Sequence, residues 1–170
     1  MERITIKEFK EQSNIEIIES IMKINNGYVT SKELSNVVYS HMTALYFHGL
    51  SIKVPNDKYD ITVPNNYFNY KIKEHNVFYV DKDIYELGLT EVKTPMGNNV
   101  RVYDVERCIC DIIRSKNRMD SERIKHSIRE YIKRRDKNLV KLSSYAEKMG
   151  IKDSVMSYVD MMYEYYRFKS

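Results

Sequence analysis

The chain of 170 residues has no tryptophan, only two cysteines, three prolines and five glycines. Cys108 and Cys110 form neither a Cys-x-x-Cys pair nor any metal-finger spacing. On a helix, two positions turn their side chains about 200° apart, so both read as ordinary buried thiols. The glycines sit where turns or caps use them and make no phosphate loop. The Gly-Ser turn that a nucleotidyltransferase places ahead of its carboxylates is missing, as is any Ser-His-Asp arrangement. No apolar run approaches the roughly 20 residues that cross a bilayer, and MERITIKEFKEQ lacks the apolar stretch of a signal peptide. These absences argue against a metal site, a cofactor, a membrane partner and an enzyme, and set the cytoplasm as the expected location.

What is present suits one globular domain, or one plus a small appendage. Hydrophobic residues make up 42% of the chain and charged residues 31%, enough for a real core. Net charge is +4, but it is unevenly spread. From Arg114 to Lys141 eleven Lys or Arg face four acids, a local excess of +7. Cationic charge gathered on one element is what a phosphate backbone attracts.

Apolar spacing predicts a helix over 14–24, stopped by Asn25-Asn26-Gly27. Thr30-Ser31-Lys32-Glu33 then fits a capping box that opens a second helix. That opening belongs to a helix-turn-helix or winged helix, yet its apolar period ends at Leu34. Beyond it short strands and helices alternate. Val37 to Tyr39 reads as strand, and Ser40 caps a helix closed by Gly49. Tyr59 to Val63 is strand, Asn65 to Glu74 helix, Asn76 to Val80 strand, with a turn or short helix at Ile84 to Leu87. Thr90 to Thr94 and Val100 to Tyr103 form a hairpin. Asp104 caps a helix bearing Val105, Ile109, Ile112 and Ile113, where Arg107 and Asp111 make an i,i+4 pair worth about 0.2–0.5 kcal/mol. Helices near 121–135 and 138–149 follow. A last helix after Asp153 carries one seam of Val155, Val159, Met162 and Tyr166 beside another of Tyr158, Met161, Tyr165 and Phe168. The expected fold is α/β (α+β): a small mixed five-stranded sheet with covering helices, then a C-terminal array of antiparallel helices.

The runs S40-H-M-T-A-L-Y-F-H-G-L50, D60-I-T-V-P64 and E86-L-G-L-T-E-V-K-T-P-M-G-N-N-V-R-V-Y-D-V-E-R-C-I-C-D111 resemble the C-terminal domain of AbiEi-family antitoxins of abortive-infection, type IV toxin–antitoxin systems. The resemblance covers roughly 37–168. Residues 14–35 resemble the first helix and the start of the second in that family's N-terminal winged helix. It implies two parts: 1–35, an incomplete winged-helix remnant, and 36–170, the α/β plus helical domain. Family members continue with a recognition helix and wing before the SHMTALYFHGL helix; here the chain passes straight to it, as after an internal deletion. The resemblance further implies an antitoxin and transcriptional regulator that counters a nucleotidyltransferase toxin without a required direct complex.

The residues themselves offer a basic helical face. Lys125, Arg129 and Lys133 recur at i, i+4 and i+8, and Arg134 and Arg135 extend the charge. This face is the expected DNA contact, with weak sequence preference because no base-reading element accompanies it. Two other readings compete. Asp57 or Asp60 with Glu91 and Lys93 imitates the carboxylates and E-x-K of metal-dependent nucleases, provided that the Asp comes from a neighbouring strand. The last helix is apolar over a wide arc, which serves the core first and an interface between copies of the chain second. His41 and His48 return to one helix face about 10 Å apart, too far to share a metal, so each packs or hydrogen-bonds locally.

Overall fold

The structure is a computed structural model that describes residues 4–5, 28–29, 36–51, 55, 58–67, 72–93 and 99–167. The helix expected over 14–24 and the capping box at 30–33 lie outside the described residues. In that part, β1 (Ile4–Thr5) pairs antiparallel with β2 (Tyr28–Val29).

The main body is a five-stranded mixed sheet with six helices among the described residues. Its strands are β3 (Val38–Tyr39), β4 (Asp60–Pro64), β5 (Asn76–Val80), β6 (Leu89–Lys93) and β7 (Asn99–Tyr103), in the order β5-β4-β3-β7-β6. β3 lies in the middle and is only two residues long; both are buried, as is Val37 before them. It runs antiparallel to β4 and parallel to β7, and β4 and β5 are parallel. β6 and β7 form the expected hairpin, with Glu91 opposite Arg101 and Lys93 opposite Asn99; residues 94–98 of its turn are outside the described set.

Helix α1 (His41–Phe47) follows β3 directly. Ser40 occupies its N-cap position, but its hydroxyl makes no cap bond. Asp60 from β4 does that work: its Oδ2 accepts from the Met42 N–H at 3.0 Å, while its own N–H donates to Thr43 Oγ1 at 2.8 Å. The orphan donor of the helix start is thus satisfied across the sheet rather than locally. The helix expected over 65–74 does not form as an α-helix where the chain is described; of its described residues only Ile72 is helical, in a 3₁₀ turn. Asn65 and Asn66 are in a turn; the Asn65 N–H donates to the Val80 carbonyl, and its side-chain amide donates to Asp81 Oδ1. Proline followed by two asparagines favours this turn over helix continuation.

After α2 (Lys82–Glu86) and the hairpin come α3 (Val105–Arg114), a 3₁₀ turn (Lys116–Arg118), α4 (Ser121–Lys133), α5 (Leu139–Lys148) and α6 (Lys152–Arg167). Side-chain caps from Asp104, Asp120 and Asn138 open α3, α4 and α5, each accepting from the N–H three residues on. α3 is the hub, packed on α1, α4, α5 and α6. One contiguous core runs from Val37 and Val38 through Ile109 and Ile112 to Val155, Val159 and Met162. The first seam of α6 therefore faces that core. On the second seam Met161 and Tyr165 stand exposed and Tyr158 half-buried; Phe168 is outside the described residues. Among the described residues no helix is long and apolar enough to cross a membrane.

Candidate functional site

The basic face of α4 forms as its spacing requires, but its charges are mostly spent. Lys125 Nζ meets Glu122 Oε1 at 2.8 Å, and Lys133 Nζ meets Glu130 Oε1 at 2.7 Å. Hydrogen bonding to those carboxylates raises both lysine pKa values. Arg134 closes a fork on Asp136, at 2.8 and 2.6 Å, which raises the arginine and lowers the acid. Arg129 turns toward α6, its guanidinium 5.3 Å from the Tyr165 ring centre. Of these five cations only Arg135 is exposed with no ion pair among the described residues. Lys125, Arg129 and Lys133 thus share a helix face, but an acid three residues before each lysine answers it.

Free positive charge collects instead where α3 passes into α4. Arg114 ends α3, Ser115 is its C-cap, and Lys116 to Arg118 form the 3₁₀ turn before Asp120 starts the next helix. Arg114, Lys116 and Arg118 are exposed and have no acidic partner among the described residues. In the sequence these three belong to the basic segment but share no helical spacing that would single them out. Arg114-Ser115-Lys116-Asn117-Arg118 does carry a local signal: cations alternating with a hydroxyl and an amide in one tight connection.

Beside this turn opens a pocket of about 330 Å³, with His41, Phe78, Asp111, Arg114, Ser115 and Arg118 among its walls. His41 is the residue held hardest. Its backbone has φ +48°, in the left-handed region, which costs a non-glycine residue about 1–3 kcal/mol. Its ring stacks on Phe78 with centroids 3.6 Å apart and planes 20° apart. Nδ1 lies 2.8 Å from Ser40 Oγ and Nε2 3.1 Å from Ser115 Oγ, while Thr62 Oγ1 donates to Ser40 Oγ at 2.8 Å. Burial, reinforced by Arg107, Arg118 and Arg114, pushes the His41 pKa well down, so the imidazole is neutral and one ring nitrogen donates while the other accepts. Arg118 covers Phe78 as well, its guanidinium 4.3 Å from the ring centre.

Asp111 forms part of the pocket wall and belongs to a buried pair. Arg107 Nε donates to Asp111 Oδ1 at 3.0 Å, and both side chains are almost wholly buried, at 0% and 3% exposure. The same guanidinium lies 4.0 Å from the Tyr103 ring centre and donates through Nη1 to the Leu87 carbonyl at 2.8 Å and to the Ile84 carbonyl. Asp111 Oδ2 and Arg107 Nη2 are buried without a hydrogen-bond partner. Burial raises the Asp111 pKa against the opposing pull of Arg107. This pair is no surface i,i+4 contact of a few tenths of a kcal/mol. It sits in the hub of the fold.

The nuclease-like trio does not assemble. Asp60 is on β4, and Glu91 and Lys93 are exposed on β6. Two strands intervene, a separation of about 14 Å at ordinary strand spacing, and Asp60 is occupied by Met42, Thr43 and Asn76. Asp57 is outside the described residues. His48 and the cysteines behave as local spacing implied: His48 Nε2–H donates to the Tyr103 carbonyl at 2.7 Å, and both thiols are buried and unpaired. No family model matches the chain, and no curated protein matches it either.

Proposed function

We propose that this protein is an antitoxin-like, cytoplasmic regulator, not an enzyme, that holds nucleic acid through the corner between α3 and α4. The observation that carries the contact is the turn Arg114 to Arg118, which places three cations with no acidic partner among the described residues on one exposed connection. Arg and Lys in that state lose little on meeting a phosphate, whereas Lys125, Lys133 and Arg134 must first give up a carboxylate. Arg129 and Arg135 extend the surface along α4 as its second tier. The likeness to AbiEi antitoxins supports the regulatory role and a nucleotidyltransferase toxin as functional partner, with no direct complex required.

Fluorescence anisotropy on a labelled DNA duplex across a salt series tests the contact. Affinity should fall by about 0.9 log units per tenfold salt for each phosphate neutralised, with weak sequence preference. Arg114→Glu with Lys116→Glu and Arg118→Glu should abolish binding. Lys125→Glu with Arg129→Glu and Lys133→Glu should weaken it less. The reverse ranking would return the contact to the α4 face, and no salt-dependent binding by the wild-type protein would end the nucleic-acid reading.

A further inference from the structure

Three features of the pocket at this corner call for more than a bare anion. Arg114 and Arg118 supply two guanidinium forks, the geometry that takes a phosphate through paired hydrogen bonds. Asp111 lines the same wall, its Oδ1 held by Arg107 at 3.0 Å. Ser115 and Asn117 add a hydroxyl and an amide between them. Against this polar set, Phe78 offers no platform for a flat base, because His41 and Arg118 already lie on it. The strained His41 is fixed between Ser40 and Ser115, so this wall is formed in advance.

We propose that the pocket binds a phosphomonoester bearing neighbouring hydroxyl groups, of pentose-phosphate size, with its phosphate between Arg114 and Arg118 and its sugar hydroxyls against Ser115 and Asn117. The volume of about 330 Å³ is at the small end of ligand pockets, which run from about 300 to 1,000 Å³. The proposal rests on the corner being a phosphate-recognition surface and narrows it to one ligand class. That chemistry is found in a free sugar phosphate and in the phosphorylated ribose end of an RNA chain.

Calorimetric titration of the full chain with ribose 5-phosphate, inorganic phosphate and ribose decides it. Ribose 5-phosphate should bind at least about tenfold tighter than phosphate, and ribose alone should not saturate. Arg118→Ala should weaken it by about tenfold or more. Ser115→Leu, which fills the pocket, should abolish it; Asn117→Trp, on the exposed turn, should do the same if Ser115→Leu disturbs folding. A 5′-phosphorylated RNA oligonucleotide that outcompetes ribose 5-phosphate would identify the RNA end as the source, and one that does not would identify the free sugar phosphate. Ribose 5-phosphate binding no tighter than inorganic phosphate, or unaltered by both pocket-filling variants, overturns the proposal. Those results leave the duplex measurement untouched, so failure here and failure of the nucleic-acid reading are separable.

Discussion

Helices α3 and α4 carry charge in opposite ways. On α3 the pair Arg107 and Asp111 is almost wholly buried, and around it Glu106 accepts from the Tyr131 hydroxyl at 3.2 Å and from the Asn138 N–H at 3.1 Å. On α4 the pairs Lys125–Glu122 and Lys133–Glu130 stand in solvent. The lysine chains on α4 keep 42% and 51% of their surface exposed, so water screens the pairs and competes for their ends. In α3 water is gone, and each unpaired charge would bear its full desolvation cost. Burial, not spacing, separates a charge pair that organises a fold from one that decorates it.

The comparison breaks most readily at Arg107. Arg107→Ala leaves Asp111 buried without its cation and removes the donors to the Leu87 and Ile84 carbonyls, so urea unfolding should register a loss of about 3–5 kcal/mol. The double change Arg107→Met with Asp111→Leu should recover most of it, because neither buried charge then remains. A double variant as unstable as the single one would mean that the contacts of Arg107 with Tyr103 and the α2 carbonyls, not the ion pair, hold the hub. Gly88 tests the same clamp from the other side. It has φ +77°, and a Cβ there would lie 2.8 Å from the Arg107 Cβ and 3.1 Å from Asp104 Oδ2. Gly88→Ala should cost about 2–3 kcal/mol, from the backbone and the clash together.

Acid should act next, and on the side of buried neutral groups. Burial lowers the His41 pKa well below its ordinary 6.5. His48 is lowered too, first by burial and then by Arg134, against the raising effects of its Tyr103 bond, Asp104 and Glu106. Above pH 6.5 both states bind no proton at these sites; as pH falls from there through the lowered folded-state values, the unfolded chain gains protons first and stability declines. Asp60 and Asp111, raised by burial, run the other way: their contribution is present below pH 3.8 and lost as pH rises through their folded values. The histidine contribution to the melting temperature should therefore fall as pH is lowered from 6.5, and His48→Gln, which keeps a donor for the Tyr103 carbonyl, should lose less on acidification than the wild type. A slope unchanged in His48→Gln would assign the whole effect to the other buried histidines.

Much of this architecture is written in local pattern. The hairpin of β6 and β7, the caps at Asp104, Asp120 and Asn138, and the inward seam of α6 all follow from spacing and cap chemistry within a few residues. The two-residue β3 is legible as Val37-Val38-Tyr39, an apolar run too short for anything else. What local pattern misses is partnership at long range. Asp60 looks like a free carboxylate but caps a helix 18 residues earlier in the chain. Arg107 and Asp111 look like a surface pair because only contacts with α1, α4, α5 and α6 close over them. For the same reason the basic segment could be counted but not divided. Whether a given lysine is free depends on an acid three residues away, whereas the pocket needs His41 and Phe78 brought from two other elements.

The smallest effect should come from releasing the α4 lysines, and it is the one that joins the two helices to the function proposed. Glu122→Gln with Glu130→Gln removes the partners of Lys125 and Lys133 without altering the buried face of α4, whose core residues are Ile124, Ile128, Tyr131 and Ile132. Thermal stability should not move measurably, as solvated pairs add little to folding. Duplex affinity at low salt should nevertheless tighten, by less than about tenfold, since two cations become available to phosphates. That outcome would make the acids on α4 a brake on its basic face and leave Arg114, Lys116 and Arg118 as the leading contact. Tightening that persists after the three corner cations are reversed to glutamate would instead place the polymer on α4, and the corner would keep only its pocket.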